Sequence, residues 1–149
     1  MTPEEQTTYE IFMRTCIELA LVAKKQGDTP AGAVIVHQGK IIAEGIEANR
    51  TKNDITFHAE IIAVRNAVQT LHSTDLSQTV LVTTHEPCIM CSYVIRHYKI
   101  STVVFGVSTG EIGGCSSSHP LLTEKTITRW NPPPKIISGI LEDECRELH

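Results

Sequence analysis

The chain has 149 residues, of which 41% are hydrophobic and 20% charged, and its formal net charge is −4. That length and apolar content suit one globular domain over residues 1–149. No apolar run approaches the roughly 20 residues of a membrane span, and the acidic balance argues mildly against a protein that grips a long phosphate backbone through clustered Lys and Arg.

The opening Met1-Thr2-Pro3-Glu4-Glu5 has no basic stretch leading into an apolar core, so a cytoplasmic protein is expected. Residues 4–26 carry Ile11, Phe12, Ile17, Leu19, Ala20 and Val22 at helical spacing, and Gly27 stops the helix. Ala31 to Val36 and Lys40 to Gly45 are two short apolar runs hinged at His37-Gln38-Gly39, the pattern of a β-hairpin. From His58 to Leu71 the apolar positions return to helical spacing, with Thr56 as a candidate cap. Thr79 to Thr84 reads as a buried strand, Cys88 to His97 as a helix, and Thr102 to Val107 as a strand rich in β-branched residues. The stretch from Ser108 to Pro134 is irregular and predicts a long surface connection. Lys135 to Ser138 predicts a last strand and Gly139 to Leu148 a closing helix with acidic residues early, where the helix dipole favours them.

The chemistry concentrates at two predicted helix starts. His58-Ala59-Glu60 opens one helix, and Pro87-Cys88-Ile89-Met90-Cys91 opens the other. Cysteines three apart in a first turn project to one side, and the dipole there favours the thiolate that binds metal. One His and two Cys suit Zn²⁺ and leave its fourth position open, as in catalytic rather than structural sites. A structural zinc would want a fourth protein donor; His85, His97, Cys115 and His119 are the candidates, His85 foremost because it lies three residues before Cys88. Glu60, two residues from His58, does not share its helical face and is better placed to carry protons than to bind the metal. Among the remaining cysteines, Cys16 and Cys145 fall in amphipathic helices and are expected to be small buried residues, and Cys115 to be a loop thiol. Trp130 and Pro132 to Pro134 are expected to pack as a loop, and His97 to close its helix.

His58-Ala59-Glu60 together with Pro87-Cys88-x-x-Cys91 resembles the cytidine deaminase-like superfamily, whose zinc deaminases carry an H-x-E and a P-C-x-x-C signature. Pro30 to Val36, Asn49, Asp54, Thr84-His85-Glu86-Pro87 and Val103 to Gly106 are similar to its guanine deaminase and tRNA adenosine deaminase branch. The resemblance runs from about Tyr9 to Leu148. It implies a three-layer α/β/α sandwich with a five-stranded mixed sheet and a homodimer. It also implies zinc on His58, Cys88 and Cys91, with Glu60 as the proton carrier. Asn49 is expected to hydrogen-bond the substrate base, and Ala33, Phe57, Ala59 and His85 to contact substrate. Asp54-Ile55-Thr56-Phe57 stands where this branch commonly has Asp-Pro-Thr-Ala, so Phe57 is expected to narrow or re-floor the pocket.

Three functions follow. The first expectation is hydrolytic deamination of a free nucleobase or nucleoside of guanine or cytosine type, favoured by the acidic balance and the lack of a basic C-terminal tail. The alternative is a tRNA-specific adenosine deaminase, which takes a flipped base from the anticodon loop and wants a basic rim; Arg14, Lys24, Lys25, Arg50, Lys52, Arg65, Arg96 and Lys99 could supply one without forming a dense cluster. A non-catalytic zinc module that binds a partner is the third, and Glu60 argues against it.

Overall fold

The computed structural model describes all residues from Met1 to His149. Helix α1 spans Pro3–Lys25, strands β1 and β2 span Gly32–His37 and Lys40–Ile46, and a one-turn helix α2 follows at Asn49–Lys52. Helix α3 is Ala59–Leu71, β3 is Thr79–His85, α4 is Ile89–His97 and β4 is Thr102–Val107. After two short 3-10 turns at Gly110–Ile112 and Leu121–Thr123 come β5, Lys135–Ile137, and α5, Glu142–Arg146. No helix is long and apolar enough to cross a membrane.

The five strands lie in the order β2-β1-β3-β4-β5. β1 pairs antiparallel with β2 and β3, whereas β3–β4 and β4–β5 are parallel, so the sheet is mixed as the resemblance implies. Alternate side chains of the central strands feed two apolar layers, which is why these strands read as nearly unbroken apolar runs. Ala33, Ile35, Leu81, Val103 and Phe105 pack with Ala59, Ala63 and Ile95 of α3 and α4. Val34, Val36, Val82 and Val104 pack with Met13 and Cys16 of α1 and Cys145 of α5 on the other face. The result is the three-layer sandwich.

One helix is shorter than expected and one was not foreseen. The closing helix is confined to Glu142–Arg146 because Leu141 adopts a positive φ of 52° and the residues before it run as a turn. The one-turn α2 was not legible: four residues cannot show a helical period. It is fixed instead by Asp28, whose carboxylate accepts the amide protons of Arg50 and Thr51, both at 2.9 Å, and the Thr51 hydroxyl at 2.8 Å.

Strand β2 and helix α3 approach closely at Gly45. A Cβ there would overlap the Ala59 carbonyl oxygen and lie 2.7 Å from the Ala63 amide nitrogen. Both obstacles are backbone and cannot rotate away. Gly45→Ala is therefore expected to lower stability by about 2 kcal/mol, the middle of the range for overpacking a tight interior. A urea midpoint equal to that of the wild type at unchanged slope would remove the claim that this contact sets the seat of α3.

Candidate metal and proton-transfer site

The site forms where α3 and α4 begin, beside the C-terminal end of β3. His58 is the residue that caps α3, in extended conformation with ψ of 147°, and Cys88 occupies the same place on α4 with ψ of 177°. Extended backbone at each cap turns the side chain away from the helix axis and toward the other helix start. Neither cap residue spends its side chain on its own helix. Thr56 does not cap α3; its hydroxyl bonds Asp54 at 2.7 Å. The buried Glu47 serves instead, accepting the Ala59 amide proton at 3.0 Å from outside the helix.

His58 Nδ1 lies 3.6 Å from Cys88 Sγ and 3.5 Å from Cys91 Sγ, and the three donor atoms fall within 4.8 Å of one another. No fourth His, Cys, Asp or Glu joins them. His85 is engaged elsewhere: its ring nitrogens meet Thr84 and His149. His97 stacks on Tyr93 on the outer side of α4, and Cys115 packs against the core with its amide held by Glu86. The donor set of one imidazole and two sulfurs fits Zn²⁺ with a position left open.

The electrostatics agree with a metal-ready set. The hydrogen bond from Cys91, opposed by burial and helped by His58, holds the Cys88 thiol down at about 4. The bond to Cys88 raises His58 to about 9. Its bond to Cys88 and then its burial push Cys91 up. These three groups share protons that a divalent cation displaces on binding. Glu60 is buried, and that burial raises its carboxyl to about 7 against the pull of His58. Thr83 donates to Glu60 Oε1 at 3.3 Å from the inner face of β3. A carboxyl held in that range can accept and return a proton near neutral pH.

A cavity of about 180 Å³ opens over these residues, lined by Asn49, His58, Glu60, His85 and Cys88 together with Ala31 and Glu47. Of the residues expected to meet substrate, Asn49 and His85 are here. Ala33 and Ala59 do not line it, because their methyl groups are buried in the layer between sheet and α3. Phe57 also lies off the lining, its ring under the Arg65 guanidinium at 5.4 Å.

Glu86 carries a role that the sequence hid. Its side chain is buried and gathers the irregular stretch after β4, accepting from the amides of Thr109 at 3.2 Å, Cys115 at 2.8 Å and Ser116 at 2.7 Å, and from the hydroxyls of Ser108 and Ser116. Thr109 and Ile112 thereby join the cavity wall. Burial raises the Glu86 carboxyl, but the bonds from Ser116, Cys115 and Thr109 outweigh it and hold the group below the ordinary carboxylate range. A folded value below the unfolded one stabilises above the ordinary glutamate pKa and is lost as pH falls through the folded value. Glu86→Gln is expected to cost about 1–3 kcal/mol at neutral pH. Urea midpoints across pH should show the gap to wild type closing in acid; a constant gap would assign the loss to packing.

The comparisons with known proteins agree with this geometry. A family profile described as the cytidine and deoxycytidylate deaminase zinc-binding region matches residues 6–107. A tRNA-specific adenosine deaminase of Haemophilus influenzae is 36% identical over 139 residues, 93% of this chain and 79% of its own. The chloroplastic tRNA(adenine(34)) deaminase of Arabidopsis thaliana is 37% identical over 97% of this chain, which spans only 12% of that longer protein. Among solved structures, one from a study of A-to-I editing by tRNA:A34 deaminases superposes with a TM-score of 0.86 at 31% identity, covering 93% of this chain and 98% of that one. A guanine deaminase from Bacillus subtilis superposes with a TM-score of 0.64 at 36% identity, covering 72% and 66%.

Proposed function

The chain belongs to the cytidine and deoxycytidylate deaminase zinc-binding family and is a zinc-dependent hydrolytic deaminase, and from that membership we propose that its substrate is an adenosine of transfer RNA, converted to inosine with release of ammonia. The observation that carries this reading is the similarity to the Haemophilus influenzae tRNA-specific adenosine deaminase over 93% of the chain. It reverses the order expected from composition, which placed a free base or nucleoside first. The rim is compatible with RNA: Arg50 and Lys52 of α2 follow Asn49 directly, both exposed, and neither they nor Arg65 enter any of the salt bridges. Asp28 lies near Arg50 and Asp54 near Arg65, but no carboxylate holds these cations in a salt bridge, and exposed Arg and Lys beside a pocket mouth are suited to phosphates. Deamination of free guanine is the second reading, supported by the 36% identity to the Bacillus subtilis guanine deaminase.

His58, Cys88 and Cys91 would hold the zinc, which when bound supplies a Lewis acid and a water made nucleophilic at neutral pH. The protein's own residues then handle protons and orientation. Glu60 takes the proton of the attacking water and delivers it to the ring nitrogen beside the reacting carbon; it then takes the proton of the hydroxyl now on that carbon and gives it to the amine, which leaves as ammonia while the carbonyl forms. Thr83 orients the Glu60 carboxyl through its bond to Oε1. Asn49, at the head of α2, is placed on the cavity wall to bond the base edge, and Asp28 fixes that turn from behind. The burial of Glu60 excludes water that would otherwise compete for its proton.

A homodimer follows from the same resemblance, and Ile89 and Tyr93, exposed on one face of α4 at a spacing of four, offer an apolar surface for it. A reducing, cytoplasmic setting suits the five unpaired cysteines.

Glu60→Gln keeps the shape of the site and removes its proton carrier. It is expected to retain zinc while inosine formation in an anticodon stem-loop falls by a factor on the order of 10²–10⁴. Zinc content by mass spectrometry and inosine by nuclease digestion read the two halves. Activity on guanine with none on the stem-loop would transfer the assignment to the second reading, and full activity of the variant would remove Glu60 from the chemistry.

A further inference from the structure

His85 forms part of the cavity wall, yet neither of its ring nitrogens is free for a substrate. Nδ1 lies 2.7 Å from the Thr84 hydroxyl, and Nε2 lies 2.6 Å from Nε2 of His149. Thr84 is fully buried and already accepts the Gly32 amide proton at 3.2 Å, which leaves its own proton for His85 Nδ1. With Thr84 as donor to Nδ1, the ring proton of His85 is assigned to Nε2 and donated to His149. Burial, followed by the neighbouring His149, holds His85 down at about 4, so the ring is neutral at physiological pH.

We propose that His85 offers the base its π face and carbon edge as a stacking wall, and that His149 is a positioning residue that fixes the plane of that ring from outside the cavity. His149 is not among the cavity-lining residues. It reaches His85 from the segment after α5; the helix is anchored by buried Cys145, and the segment by buried Leu148, whose carbonyl accepts from Lys24 Nζ at 3.1 Å. An imidazole has a soft terminal torsion, and a bond at each nitrogen removes that freedom before substrate arrives. The two rings meet edge to face, with planes at 82°, so His149 holds the edge of His85 and leaves its face uncovered by this partner. A stacking wall reads planarity and is indifferent to the donor pattern of the base, so the polar discrimination is left to Asn49 and Glu60.

The inference rests on a planar nucleobase as substrate, as in the proposed function. On the anticodon stem-loop, His85→Ala is expected to raise KM about tenfold or more with little change in kcat, and His85→Phe to recover most of that loss. His149→Ala should raise KM about threefold in the wild type and leave it unmoved in the His85→Phe background, since phenylalanine has no nitrogen to hold. A His85→Phe protein as impaired as His85→Ala, or an equal effect of His149→Ala in both backgrounds, would overturn the proposal. Imidazole nitrogen NMR of the zinc-loaded protein without substrate gives a second readout. Protonation of His85 at Nε2, with a resonance that shifts when His149 is replaced, is expected; protonation at Nδ1, or indifference to His149→Ala, refutes the clamp. Should the wild type act on guanine instead of the stem-loop, the substrate reading fails, and the same mutant cycle run on guanine decides the stacking wall separately.

Discussion

Everything in the site depends on two helix starts being brought side by side at the end of one strand. A helix start has unsatisfied amide donors and a partial positive charge, and both favour anionic donors such as thiolates. Here the cap residues His58 and Cys88 are extended and make no cap bond of their own, so their side chains are free to converge. The convergence is possible because α3 lies hard against β2 at Gly45 and α4 is led in from β3 through Glu86 and Pro87. The donor atoms lie within 4.8 Å of one another, so the seating of both helices sets whether one ion can be shared.

Buried carboxylates hold this arrangement, each with a separate task. Glu47 satisfies the first amide of α3, Asp28 caps the turn that carries Asn49, and Glu86 ties the stretch after β4 into the cavity wall. Burying an ionised group is costly unless its oxygens are bonded, and here no buried side-chain nitrogen or oxygen lacks a partner. Burial raises the carboxyls of Glu60 and Glu47, whereas in Asp28 and Glu86 the bonds from amides and hydroxyls outweigh it and lower them. Glu60 differs from Glu47 in its bonding: Glu47 accepts the Ala59 amide proton at 3.0 Å, and Glu60 accepts from the Thr83 hydroxyl at the longer 3.3 Å. A carboxyl that is buried and sparsely bonded is costly to keep charged, and this is the property that lets it trade protons.

The metal donors and the order of the sheet elements were legible in the sequence because both depend on short spacings. A spacing of three from Cys88 to Cys91 fixes their relative direction on a helix, and alternation within β1, β3 and β4 is lost only because both faces are covered. What stayed hidden depends on contacts between distant segments. Glu47 and Glu86 look like ordinary acidic residues until Ala59 lies 12 positions away from the first and Ser116 lies 30 positions away from the second. Ala59 sits between His58 and Glu60 and Ala33 within the Pro30 to Val36 stretch, but the turn of the helix and the alternation of the strand point their methyl groups into the core. His85 was legible as a polar residue near the metal set, whereas its partner 64 positions away was not.

Net charge is a weak guide to substrate for a related reason. The chain total of −4 says nothing about where the charges lie. Glu4, Glu5, Glu10 and Glu18 are on α1, and Glu142, Asp143, Glu144 and Glu147 are on or beside α5. Both helices pack on the sheet face opposite α3 and α4. At physiological ionic strength the screening length is about 8 Å, so exposed charges across a sheet contribute little at the pocket mouth. Arg50 and Lys52 follow the cavity-lining Asn49 directly on α2, whereas the acidic residues of α1 and α5 lie across the sheet. An acidic total therefore does not by itself decide between a free base and an RNA as substrate.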